Sequence, residues 1–80
     1  MKIVQLNEFK EVSYFGHAVH VPHTIHYIAT DKSGKLYGFE LEPVADEGLE
    51  FWDNPTGDDI YEIGHVDLEG KDWTTTLQSV

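Results

Sequence analysis

A strand, a turn and a second strand can be read directly over residues 24–42, and this hairpin limits the chain to β-sheet architectures. Tyr37, Phe39 and Leu41 alternate with Gly38, Glu40 and Glu42. A period of two puts the apolar side chains on one face and the acids on the other. Residues 25–30 are rich in β-branched and aromatic types, which fit a pleated, half-buried surface. Asp31-Lys32-Ser33-Gly34 joins the two runs. Asp first and Gly fourth suit a type I turn, with Gly taking the positive φ that follows.

The remaining segments fit the same class. Residues 2–6 and 12–15 read as short strands joined by a polar turn at Asn7-Glu8. Gly16 interrupts the second, residues 17–21 continue it, and Pro22 stops it or places it at an edge. Residues 42–57 read as a long acidic loop pinned by Phe51 and Trp52. In the strand over residues 60–68, Tyr61 and Ile63 share one face while Val66 and Leu68 take the other, so a β-bulge is expected at Gly64. Asp72 can cap a short helix carrying Trp73, Leu77 and Val80 on one side, although Thr74, Thr75 and Thr76 favour a strand. The fold class is therefore mainly β, or a small α+β fold. It is built on an antiparallel sheet of about four or five strands, with a short C-terminal helix. The expected core is Ile3, Val4, Leu6, Val19, Val21, Ile25, Tyr27, Ala29, Tyr37, Phe39, Leu41, Ile63, Val66, Trp73 and Leu77.

Composition bounds the function. Eighty residues, 40% of them apolar, suffice for one domain over residues 1–80 with a modest core. Fifteen acids face five lysines and no arginine, a net charge of −10. That balance opposes direct nucleic-acid binding, which needs cations against phosphate, and opposes anionic membrane surfaces. Without cysteine there is no disulfide, thiol nucleophile or Cys-based zinc site. No apolar run reaches the roughly 18 residues of a spanning helix, and Met1-Lys2 leads straight into a strand-like segment rather than a leader. A cytoplasmic protein is expected.

Catalytic and metal chemistry find little support. His17, His20, His23 and His26 recur every third residue, but Pro22 interrupts any helix that would gather them. On a strand, His17 and His23 fall opposite His20 and His26, so the four do not converge on one ion. The stretch from Asp53 to Asp59 matches a calcium loop in composition only, because the third and fifth ligand positions would be Pro55 and Gly57. Carboxylate pairs are uninformative among fifteen acids, and no nucleophile elbow, phosphate loop or dinucleotide fingerprint occurs. The chain is read as a non-enzyme without metal or cofactor.

Charge distribution is the informative feature. Up to Phe39 three acids meet four lysines, a net of +1; from Glu40 onward twelve acids meet only Lys71, a net of −11. Acidity of this size opposes folding by self-repulsion, and no lysine between Lys35 and Lys71 relieves it. Strand carboxylates two residues apart project about 6.7 Å apart, too sparse to copy the roughly 1.7 Å charge spacing of duplex DNA. A sheet face together with an acidic loop can present a comparable field. The candidate partner-binding residues are Glu40, Glu42, Asp46, Glu47, Glu50, Asp53, Asp58 and Asp59.

The run from Tyr27 to Phe39, with Glu42-Pro43, Trp52, Ile63-Gly64-His65-Val66-Asp67-Leu68, Asp72-Trp73 and Leu77, resembles short, mostly uncharacterised proteins encoded by bacteriophages and prophages. The resemblance covers about two thirds of the chain and rests on turns, Trp anchors and strand patterns. It implies a phage origin and a small β-rich fold, and carries over no catalytic residue. With the acidic half, it leads to the expectation of an inhibitor acting in the host cytoplasm through a DNA-mimic-like surface. The partner would be a basic host or defence protein: a CRISPR effector, restriction enzyme, polymerase or DNA-repair enzyme. The alternative is a structural or accessory phage module that makes contact through its aromatics, with acidity serving solubility. A pocket for a nucleotide messenger ranks behind both, since a chain without arginine is poorly equipped to hold phosphates.

Overall fold

The computed structural model describes residues 1–2 and 8–80. Among them are eight strands: β1 (Phe9–Tyr14), β2 (His17–Pro22), β3 (Tyr27–Thr30), β4 (Lys35–Phe39), β5 (Val44–Asp46), β6 (Phe51–Asp53), β7 (Ile60–His65) and β8 (Gln78–Ser79). Every pairing is antiparallel. A central sheet runs β7-β4-β3-β8, accompanied by two separate hairpins, β1-β2 and β5-β6. The antiparallel β class read from the sequence is the one observed. Of the expected strand over residues 2–6, all but Lys2 lies outside the described residues, Ile3, Val4 and Leu6 included.

The β3-β4 hairpin forms where alternation placed it, with Tyr27 opposite Phe39 and Thr30 opposite Leu36. Its turn is closed by two backbone bonds: Gly34 N–H donates to Asp31 O, and Asp31 N–H donates to Lys35 O, both at 2.9 Å. Gly34 takes φ 92°, and a Cβ there would stand 2.3 Å from the Val66 carbonyl oxygen. Only glycine meets both conditions.

Both faces of this hairpin are covered. Ile28 and Leu36 pack with Tyr14, Val21 and Ile25 beneath the β1-β2 hairpin, joined by Val12, Val19, Tyr61, Ile63, Val66 and Val80. On the opposite face Ala29 and Phe39 pack with Trp52 and Trp73, joined by Tyr27, Tyr37, Ala45, Leu68 and Leu77. Each fully buried aliphatic or aromatic side chain contributes about 1.5–3 kcal/mol. Two small cores therefore share one pair of strands. The expected core omitted Tyr14, Ile28, Leu36 and Trp52, all buried. It wrongly included Leu41, which is 51% exposed because β4 ends at Phe39 and the chain bends away. Gly38 occupies the face assigned to polar residues because Ile25 lies against it; an added Cβ would meet Ile25 Cγ2 at 2.8 Å.

Several boundaries differ from expectation. β1 and β2 form a hairpin joined by Phe15-Gly16, with Tyr14 paired to His17. Positive φ at both turn residues, 47° and 79°, is the two-residue geometry whose twist matches the strands. Gly16 thus makes a turn rather than interrupting a strand. Residues 42–57 hold the β5-β6 hairpin rather than one long loop. A bulge does fall in β7: Leu36 faces Gly64 while Tyr37 faces Glu62, leaving Ile63 extra. It returns Val66 to the core of Tyr61 and Ile63, while Leu68 reaches the other. The C-terminal helix reduces to a 3-10 turn, Trp73–Thr75, capped by the Asp72 side chain accepting from Thr74 N–H at 2.9 Å. The chain then extends into β8 beside β3. Val80 consequently packs in the opposite core from Trp73 and Leu77.

The layers meet at Thr30. The Tyr14 hydroxyl donates to Thr76 O and lies against the Thr30 hydroxyl, both at 2.8 Å. Thr30 N–H donates to the Thr76 hydroxyl at 3.0 Å, and Trp52 Nε1–H donates to Thr30 O at 2.9 Å. Among the described residues no buried side-chain polar atom lacks a partner.

Candidate functional site

The β5-β6 ribbon carries four of the eight carboxylates singled out by sequence. Val44 pairs with Asp53, Ala45 with Trp52 and Asp46 with Phe51. Ala45 and Trp52 turn inward, so strand parity sends Val44, Asp46, Phe51 and Asp53 to the other face. Trp52 fixes the ribbon to the sheet. Its backbone N–H donates to Asp31 Oδ1 at 2.9 Å, its indole N–H to Thr30 O, and its ring meets Trp73 edge-on at 5.8 Å. Trp52 is thus a buried anchor and is not among the aromatics free to make contact; Phe51 beside it is half-buried.

Asp31 is the buried acid of this junction. Desolvation pushes its carboxyl above the ordinary value, opposed by the Trp52 N–H bond and the positive charge of Lys35. Asp72 moves the other way, lowered chiefly by the Thr74 side-chain and backbone bonds to its carboxylate.

The eight acids differ in their surroundings. At the ribbon tip, Asp46 Oδ1 accepts from Leu49 N–H at 3.0 Å, and Glu50 N–H donates to Asp46 O at 2.7 Å. Glu50, at φ 62°, forms an ion pair with Lys32. Glu47 and Asp53 are exposed. Glu42 is exposed and Glu40 half-buried in the segment entering the ribbon. In the segment leaving it, Asp59 is exposed, whereas Asp58 is half-buried and accepts from the Thr56 hydroxyl. Asn54 adds a bond to Asp58 O. Glu50–Lys32 is the only ion pair made by any of the eight among the described residues.

Sequence reasoning missed the apolar component. Leu41, Val44 and Leu49 are 51%, 58% and 72% exposed, and they alternate along the chain with the candidate acids. For Val44 the signal is strand parity, which sends it outward once Ala45 and Trp52 face inward. A broad cleft of about 560 Å³ runs between the β3-β4 turn and the ribbon, bordered by Lys32, Lys35, Tyr37, Leu49, Glu50 and Phe51. Its mixed charges and openness favour contact with another surface over enclosure of a small molecule.

The histidines stand apart from this region. His17, His20, His23, His26 and His65 are all exposed, and His20 Nε2 lies 3.4 Å from Glu11 Oε2. Among the described residues no three His, Asp or Glu side chains are grouped to hold a metal ion. No helix among them is long and apolar enough to cross a membrane. No protein-family model, curated protein or solved structure matches the chain.

Proposed function

We propose that the protein is an acidic binding module that docks on a basic, nucleic-acid-handling protein and blocks its groove. The observation that carries this reading is the electrostatics of residues 40–59: eight carboxylates with, among the described residues, a single ion pair, Glu50–Lys32, between them. A basic groove would supply the cations that the chain lacks. The resemblance to short phage-encoded proteins favours a host or defence enzyme as target, such as a CRISPR effector, restriction enzyme, polymerase or repair enzyme, met in the host cytoplasm. Exposed Leu41, Val44 and Leu49 favour a second reading, a structural or accessory interaction module in which apolar contact dominates.

The test is capture of a partner from host lysate at low and high salt, followed by measurement of that partner's DNA binding with and without the protein. Under the first reading Glu42→Lys, Glu47→Lys and Asp53→Lys together abolish capture and restore DNA binding, and the parent's affinity falls steeply with salt. Full retention by the charge-reversed variant, with losses in Leu41→Ser and Leu49→Ser, selects the accessory module instead.

A further inference from the structure

Among the described residues β7 forms one border of the central sheet, with β4 as its only strand partner. The direction of its backbone groups follows from the hairpin turn. The Asp31 N–H to Lys35 O bond makes 31 and 35 a hydrogen-bonded pair, so in β4 the odd residues bond to β3 and Leu36 and Gly38 turn toward β7. Tyr61, opposite Gly38, is consumed by that pairing. Beyond the bulge the same phase resumes, since Val66 N–H donates to Gly34 O at 2.8 Å. The N–H and C=O groups of Ile60, Glu62 and His65 therefore point away from the sheet, and none has another backbone partner among the described residues.

We propose that this border of β7 accepts an extended, lysine- or arginine-bearing segment of a partner protein as an added strand. Main-chain bonds supply the attachment, and charge selects the occupant. Asp58 and Asp59 precede the strand, Glu62 lies within it, and Asp67 and Glu69 follow, with no lysine between. A second copy of the chain is disfavoured by the same charges, because antiparallel β7-β7 pairing sets acids against acids on molecules of net charge −10. Ile60, 52% exposed, offers an apolar contact at the entry. The other borders fit less well: β5, β6 and β8 have three residues or fewer, and β1 and β2 mix Lys10 and histidines with Glu11. The proposal shares Asp58 and Asp59 with the docking surface above and otherwise stands on a different part of the molecule.

Three synthetic hexapeptides test it by NMR titration of the labelled full chain: alternating lysine and valine, the same sequence N-methylated on alternate amides, and alternating glutamate and valine. The lysine peptide is expected to shift the Ile60, Glu62 and His65 amides saturably, and the other two to leave them unmoved. Glu62→Lys weakens the lysine peptide roughly threefold to fivefold, as loss of an exposed charge pair would. Glu62→Pro, which removes an outward N–H without touching the β4 ladder, abolishes the shifts. Equal binding by the N-methylated peptide, or shifts confined to the β5-β6 ribbon, overturns strand addition while leaving acidic docking standing. Absence of any saturable shift at β7 overturns it as well.

Discussion

The Tyr14 hydroxyl lies 2.8 Å from the Thr30 hydroxyl, so the β1-β2 hairpin is tied to the central sheet by a buried polar contact as well as by apolar packing. Tyr14→Phe removes the donor to Thr76 O and the partner of Thr30. A loss of about 1–3 kcal/mol is expected, the cost of leaving buried groups unpaired. Urea unfolding measures it. A double variant with Thr30→Val should lose less than the sum of the two single changes, and strict additivity would show that the contact is not coupled.

The two aromatics of β6 should separate sharply. Trp52→Ala removes a buried ring and both of the indole's attachments, and should cost about 3–5 kcal/mol. Phe51→Ala, on the outer face, should cost well under half of that. Matched melting curves settle the comparison, and equal losses would contradict the assigned parity.

Asp31 predicts a pH dependence. Burial raises its folded-state pKa, so between the unfolded and folded values the native chain holds a proton that the unfolded chain has released. Its contribution to stability therefore falls as pH rises from about 4 through the folded value. Asp31→Asn keeps an acceptor for Trp52 N–H without the charge and should flatten that part of the profile. An unchanged slope in the variant would assign the dependence to other acids.

Two glycines of similar φ should respond differently to alanine. At Gly16 nothing lies within 4 Å of the added Cβ, and only the left-handed conformation is penalised, at about 1–2 kcal/mol. At Gly34 the same penalty is joined by overlap with the Val66 carbonyl, and the total should exceed that of Gly16→Ala by at least about 1 kcal/mol. Comparison of denaturation midpoints provides the check.

The hairpin was legible because its pattern is local: Tyr37 and Phe39 alternate, and Asp31 and Gly34 name their turn. The second buried face was not legible in the same way. Leu36 and Gly38 line it together, and Gly38 reads as a gap until Ile25, from outside the strand, fills it. Strands of three residues such as β5 and β6 are shorter than the window in which a period of two can be counted. Trp52 is consequently missing from the expected core, although Ala45 opposite it marks the inner face. Among the acids, composition located the charge, while parity and side-chain bonding decided its state. Asp53 projects from the ribbon, whereas Asp58 is held by Thr56.

Because β3 and β4 separate two oily compartments, they act as a party wall, and neither compartment can come down without exposing the back of the other. Both tryptophans belong to one side, so their fluorescence watches that compartment alone, while far-ultraviolet circular dichroism watches every strand. Heating should make the two signals move together, with the Tyr14 side holding no longer than the Trp52 side.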